Sequence, residues 1–166
     1  EFEKVLDIDI KAAAETALGK ALGQNLLSVV FDYEGNLWFA TGGFRIYPQR
    51  AQQGVMGYIA RSAIDAILNG ETVDLAKAVY VCDLPAGEGA ENGIAASREG
   101  AVILTNQKCY LLRANEGVEV VWKTPYESAG AKVSKEGDKT TGGGLAWGGG
   151  CSPTLTPELV LFTDNQ

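Results

Sequence analysis

With 166 residues, 46% of them hydrophobic and 21% charged, the chain has the balance of an ordinary folded domain rather than a disordered or fibrous one. Fourteen basic against twenty-one acidic residues leave a net charge of −7, which repels phosphate backbones. No basic patch offsets it, since Lys132, Lys135 and Lys139 are interleaved with Glu136 and Asp138, so nucleic acid is not an expected partner. The sequence contains no histidine, which removes the commonest general base near neutral pH and, with it, a Ser-His-Asp hydrolytic triad.

In chain order, the β-branched alternation Lys4 to Ile10 predicts a strand. Residues 11–22, KAAAETALGKAL, predict a helix weakened by Gly19 inside the run. LLSVVFDYEGNLWFAT then reads as a hairpin, two β-branched or aromatic runs flanking an Asp-Tyr-Glu-Gly-Asn turn. Two further strands are expected at 57–61 and 78–83, separated by a helical turn at 63–68 and an Asn69-Gly70 break. The longest uncharged apolar stretch, Asn25 to Phe31, is far short of the ~20 residues of a membrane-spanning helix, so no membrane span is expected.

A second unit repeats the plan with strands at 93–97, 101–105, 109–113 and 118–123, joined by Glu99-Gly100 and Glu116-Gly117 turns. A third begins at Ser152 to Thr156, turns at Pro157-Glu158 and continues through Leu159 to Thr163. The hairpins VFDYEGNLWFAT, AASREGAVILTN and TLTPELVLFTDN align on one another, with turn glycines Gly35 and Gly100 65 residues apart. A period of this size in β units predicts an all-β chain of propeller blades, each a four-stranded antiparallel meander, within a single 1–166 segment. The units fall at about 27–83, 92–124 and, incomplete, 151–166. Because closed propellers have four or more blades, the ring is expected to be incomplete, with remaining blades or a second chain needed to close it. An antiparallel β-sandwich is the alternative architecture.

Residues 91–106, with their Asn-Gly-Ile-Ala run before a turn and an apolar strand, resemble a hairpin of six-bladed lactonase and strictosidine-synthase-like propellers. Residues 148–165, GGGCSPTLTPELVLFTDN, resemble blades of bacterial secreted quinoprotein-like propellers. With the TyrLeuLeuArg and ValValTrpLysThrProTyr strands, this second resemblance covers about 91–166. It implies a binding or scaffold propeller with a small-molecule site at the central channel and an extracellular or periplasmic location. The lactonase resemblance implies instead a metal-dependent hydrolase, with Asn92 offering an oxygen to Ca²⁺ or another divalent cation. A quinone-dependent oxidoreductase would need basic groups converging on the cofactor, for which Arg45, Arg50 and Arg61 are the clustered arginines.

In such a propeller the start of each blade's first strand meets the ligand, which singles out Asn92 and Ser152. Asn92 equally fits a plain turn residue before Gly93. Asp164 and Asn165 follow an apolar strand, where they fit either a cation, a sugar or a local Asx turn. The glycine triplets 142–144 and 148–150 lack the spacing of a phosphate-binding loop and suggest close backbone approach, with Trp147 between them as a stacking surface or an apolar plug. Trp38 and Trp122 are expected to pack blades. Cys82, Cys109 and Cys151 match no metal or redox spacing and are expected as buried apolar fillers.

Overall fold

The computed structural model describes Lys4 and residues 6–43, 53–128 and 148–164. Its first element is a helix, α1 (Ile10–Leu18), and not the strand that the Lys4 to Ile10 alternation predicts. The Asp9 carboxylate accepts from the Ala12 N–H at 2.9 Å and so caps a run of strong helix formers. Ile10, Ala13 and Ala14, at i, i+3 and i+4, are buried together. Gly19 does not interrupt this helix but ends it, in the left-handed conformation at φ 65° that favours glycine.

Two four-stranded antiparallel meanders follow. The first comprises β1 (Asn25–Phe31), β2 (Leu37–Gly42), β3 (Val55–Ile59) and β4 (Val79–Asp83), in that spatial order. Between β3 and β4 lie α2 (Arg61–Leu68) and the short α3 (Leu75–Ala78). The second comprises β5 (Ala95–Ser97), β6 (Gly100–Leu104), β7 (Lys108–Ala114) and β8 (Val118–Pro125), again in sequence order. A two-stranded hairpin, β9 (Thr154–Leu155) and β10 (Val160–Leu161), completes the described structure. The β-rich class and the four-stranded antiparallel sheets are therefore as the sequence predicts, and neither sheet closes on itself.

The turn of the first hairpin shows why these residues reverse the chain there. Asp32 accepts from the Glu34 and Asn36 amides, from Asn36 Nδ2 and from Trp38 Nε1, all at 2.8–2.9 Å. Partial burial opposes its charge, but these donors outweigh that and hold the carboxyl below its ordinary range. The same contact satisfies the indole N–H of Trp38, which is otherwise completely buried.

Strand alternation sorts the apolar residues onto faces. Trp38, Ala40, Met56 and Tyr58 of the first sheet meet Ala101, Ile103, Tyr110 and Leu112 of the second in one shared core. Trp38, Tyr58 and Tyr80 form an aromatic row through it, with both ring-centroid distances at 4.9 Å. On the other face of the first sheet, Phe39, Ile59 and Val79 are covered by Ile10, Ala13 and Ala14 of α1 and by Ala63 and Ile64 of α2. On the other face of the second sheet, Val102, Leu104, Cys109 and Leu111 are covered by Leu155, Val160 and Phe162 of the hairpin region. The first strands of successive units, β1, β5 and β9, are neighbours, and so are the last strands β4 and β8. Among the described residues no helix is long and apolar enough to cross a membrane.

Candidate functional site

The connections that lead into β5 and β9 carry the polar groups that converge. Residues 84–94 are held down by Glu88, whose side chain is fully buried. Its carboxylate accepts from Thr105 Oγ1, Tyr110 Oη and Lys108 Nζ, each at 2.7 Å, so the negative charge is matched by three donors including a cation. Burial first, and then this carboxylate, push the Tyr110 phenol far above its usual range. Asn106 continues the anchoring by donating to Gly87 O and accepting from Gly89 N, both at 3.1 Å. Glu88 thus has the bonding of a structural anchor, with its acceptor capacity spent inside the protein.

Next along the chain, Glu91 Oε2 accepts from the Gly148 amide at 2.7 Å, and the Asn92 side-chain amide donates to Gly149 O. Tyr126, just past β8, donates to Thr105 O at 2.5 Å and accepts from the Gly149 amide at 2.8 Å. Its ring meets that of Phe162 edge-on at 5.0 Å. Gly149 pairs with Asp164 in an antiparallel bridge, and Gly150 N donates to Thr163 O at 2.7 Å. Residues 148–150 therefore gather Glu91, Asn92, Tyr126 and Asp164 around three backbone units.

Glycine is required here by space. A Cβ on Gly148 would stand 2.5 Å from Asn106 Cα and 2.8 Å from Tyr126 Oη. The close approach expected of the 148–150 triplet is thus made to the protein's own β6–β7 and β8 connections. One on Gly93 would run into the Ser152 hydroxyl, and the Ser28 hydroxyl accepts from Ile94 N at 3.3 Å. Ser28, Gly93 and Ser152 consequently lie side by side at the neighbouring strands β1, β5 and β9.

The site is acidic in character. Burial first of all, then the charges of Asp164 and Glu91, hold the Tyr126 phenol above its ordinary range, against the lowering effect of the Gly149 hydrogen bond. Both carboxylate oxygens of Asp164 are fully buried and neither has a hydrogen-bond partner. An Asx turn at this position would bond residue 166, which lies outside the described residues. No protein-family model, curated protein or solved structure matches the chain.

Of the residues singled out in the sequence, Asn92, Ser152 and Asp164 are brought to this one region, while Trp147 and Asn165 lie outside the described residues. Asn92 is half-buried and spends its amide nitrogen on Gly149 O. Among the described residues no group of three acidic, cysteine or histidine side chains forms a metal cluster. Arg45 and Arg50 also lie outside the described residues, and Arg61 bonds Asp65 and the Glu34 carbonyl, away from the site. The cysteines are free thiols: Cys109 is buried, but Cys82 and Cys151 are only half-buried, so the expectation of buried fillers holds fully for Cys109 alone. Burial pushes the Cys109 thiol up to about 11 and raises that of Cys82. Glu91 and Tyr126 are the members that sequence reasoning missed.

Two concavities lie elsewhere. A pocket of about 170 Å³ between hairpin tips is lined by Asp32, Glu34, Glu99, Arg98 and Arg113. Asp32 is committed to its turn and Arg113 to Glu99 and Glu119. A groove of about 820 Å³ runs between the second sheet and the hairpin, lined by Val102, Leu111, Trp122, Leu155 and Val160. Trp122 at its border is 37% exposed, so this indole is only partly packed, unlike Trp38.

Proposed function

We propose that the chain is a stretch of a propeller-type array that acts as a binding scaffold, with a small polar ligand met where the first strands of successive units begin. The observation that carries this reading is the convergence of Glu91, Asn92, Tyr126 and Asp164 on residues 148–150, with an Asp164 carboxylate that has no hydrogen-bond partner among the described residues. The propeller-type arrangement is supported by two meanders stacked in matching order, with β1, β5 and β9 adjacent and β4 beside β8. The half-covered face of the second sheet, where Trp122 borders the groove, is then the seat of two further strands, supplied by remaining blades or a second chain.

Binding is favoured over covalent catalysis by the chemistry of the available groups. The sequence has no histidine, burial raises the Cys82 and Cys109 thiols and so keeps thiolate scarce at neutral pH, and among the described residues no base hydrogen-bonds Ser152. Hydrogen–deuterium exchange with a panel of sugars, carboxylic acids and lactones tests the reading. Ligand-dependent protection is expected at 91–94, 126–128 and 148–152. Protection confined to the groove residues 96–102 and 155–160, or a ring-opened product released from a lactone, would overturn it.

A further inference from the structure

Among the described residues the third unit has two strands, and the surface it leaves uncovered has a definite shape. Across the outer face of the second sheet, Val102, Leu111 and Trp122 stand opposite one another on β6, β7 and β8. Their exposure rises along that row, 1%, 8% and 37%, and Leu155 and Val160 of the hairpin pack on its near end. The shared face of the first sheet carries the same kind of row, Trp38, Tyr58 and Tyr80, under a cover four strands wide. Neighbouring strands lie about 4.8 Å apart, so two more strands beside β10 would carry the third layer out over β7 and β8. The groove of about 820 Å³ occupies that place.

The β10 strand has the means to receive them. Leu159 O accepts from Thr156 N and Thr163 O from Gly150 N, so both carbonyls face β9 and the 148–150 segment. Successive strand residues turn their N–H and C=O to opposite edges, so Val160 and Phe162 turn theirs to the other edge, where no described strand lies. Leu159 to Thr163 carries no charge and no proline, and β9 and β10 pair without a bulge. The edge strand β8, by contrast, carries Glu119, Lys123 and Pro125 and pairs with β7 through a bulge, the usual guards against strand addition. Leu159 and Leu161 are exposed while Val160 packs on the second sheet, so β10 is apolar on both faces, the pattern of a strand inside a sheet. Its counterparts in the aligned hairpins, β2 and β6, are such strands, paired on their far sides by β3 and β7.

We propose that the free edge of β10 is a strand-acceptor site, which takes an apolar β-hairpin from another polypeptide, its first strand antiparallel to β10 and its side chains on Leu111 and Trp122. The inference rests on the reading of the chain as a stretch of propeller-type units and names the partner that completes the third one. Main-chain bonds to Val160 and Phe162 supply affinity, and the apolar groove selects the side chains. A second copy does not fit this role, because every hairpin among the described residues is already built into its own core. The chain's own β7–β8 hairpin, third and fourth in its sheet, has the chemistry expected of the partner.

The test is titration of the full chain, under reducing conditions, with a synthetic peptide of residues 107–126 that carries that hairpin. Amide exchange read by NMR on the unmodified chain is expected to be fast at Val160 and Phe162 in the free protein. The peptide is expected to slow both by about tenfold or more and to shift the Trp122 indole signal. Val160→Pro removes one N–H from the free edge while leaving the bonds to β9 in place, and is expected to weaken binding about tenfold. No binding at millimolar peptide, bound peptide that leaves both amides fast, or a scrambled peptide that protects them equally would each overturn the proposal. Slow exchange at both amides in the free chain, lost on dilution, would show a second copy on the edge and would overturn it too. Failure of the peptide with the small-ligand footprint at 148–152 intact removes this inference alone. Peptide binding without that footprint removes the small-ligand reading alone.

Discussion

The two four-stranded sheets share one interior face but differ in what covers their outer faces. The first is covered by α1 and α2, whose Ile10, Ala14 and Ile64 sit on Phe39, Ile59 and Val79. The second is covered by a hairpin of only two strands, whose Leu155 and Val160 sit on Val102, Leu104 and Leu111. Central strands are buried under either cover: every residue of β3 and of β6 is buried. The difference is at the edges. Under the helices, the first strand β1 keeps Val29 and Phe31 exposed on the face they share with Phe39. Beside the hairpin, the last strand β8 keeps Trp122 exposed on the face it shares with Leu111. A sheet's central strands are thus buried by whatever layer it receives, and the span of that layer decides which apolar edge remains available to a partner.

Cavity-forming substitutions separate the shared face from the covered one. Leu112→Ala, between two full sheets, is expected to lower the unfolding free energy by about 3–5 kcal/mol, and Leu104→Ala, under the two-stranded hairpin, by about 2–3 kcal/mol because a small cover collapses more readily onto a void. Equal losses in a urea titration would erase the contrast. The first sheet also depends on the Asp32 turn, for which the second has no equivalent indole contact. Asp32→Asn is expected to cost about 1–3 kcal/mol at neutral pH. Because the folded carboxyl titrates below its unfolded value, its contribution is complete above that value and is lost as pH falls from about 4 through the folded one. The urea midpoint of the substituted protein should therefore fall less between pH 7 and pH 3 than that of the parent. Trp122→Ser, at the open edge, is expected to change stability by less than about 1 kcal/mol while reducing self-association in sedimentation velocity. A large loss of stability would mean that the hairpin already covers this strand.

Local signals made the sheets legible. Alternating β-branched runs around Asp-Tyr-Glu-Gly-Asn, Arg-Glu-Gly and Asn-Glu-Gly turns are short-range codes, and the strands that they predict are those the protein forms. The alternation from Lys4 to Ile10 forms no strand among the described residues, where Asp9 and the alanines after it reward a helix from Ile10. The site was legible only in pieces. Asn92, Ser152 and Asp164 stood out by residue type and position, but Glu91 reaches Gly148 across 57 residues and Tyr126 reaches Gly149 across 23. Nothing local marks such partners. The one advance signal was the glycine in their neighbourhood, which permits backbone to come close without naming the side chain it meets.

Successive four-stranded units stack in matching order, with β1 beside β5. Nuclear Overhauser contacts test it most directly. Cross-peaks from the Trp38 and Tyr58 rings to the methyl groups of Ile103 and Leu112, together with one from the Ser28 side chain to the Ile94 amide, are the predicted result. Trp38 and Tyr58 contacts confined to their own sheet, with Ile94 showing none to Ser28, would contradict it.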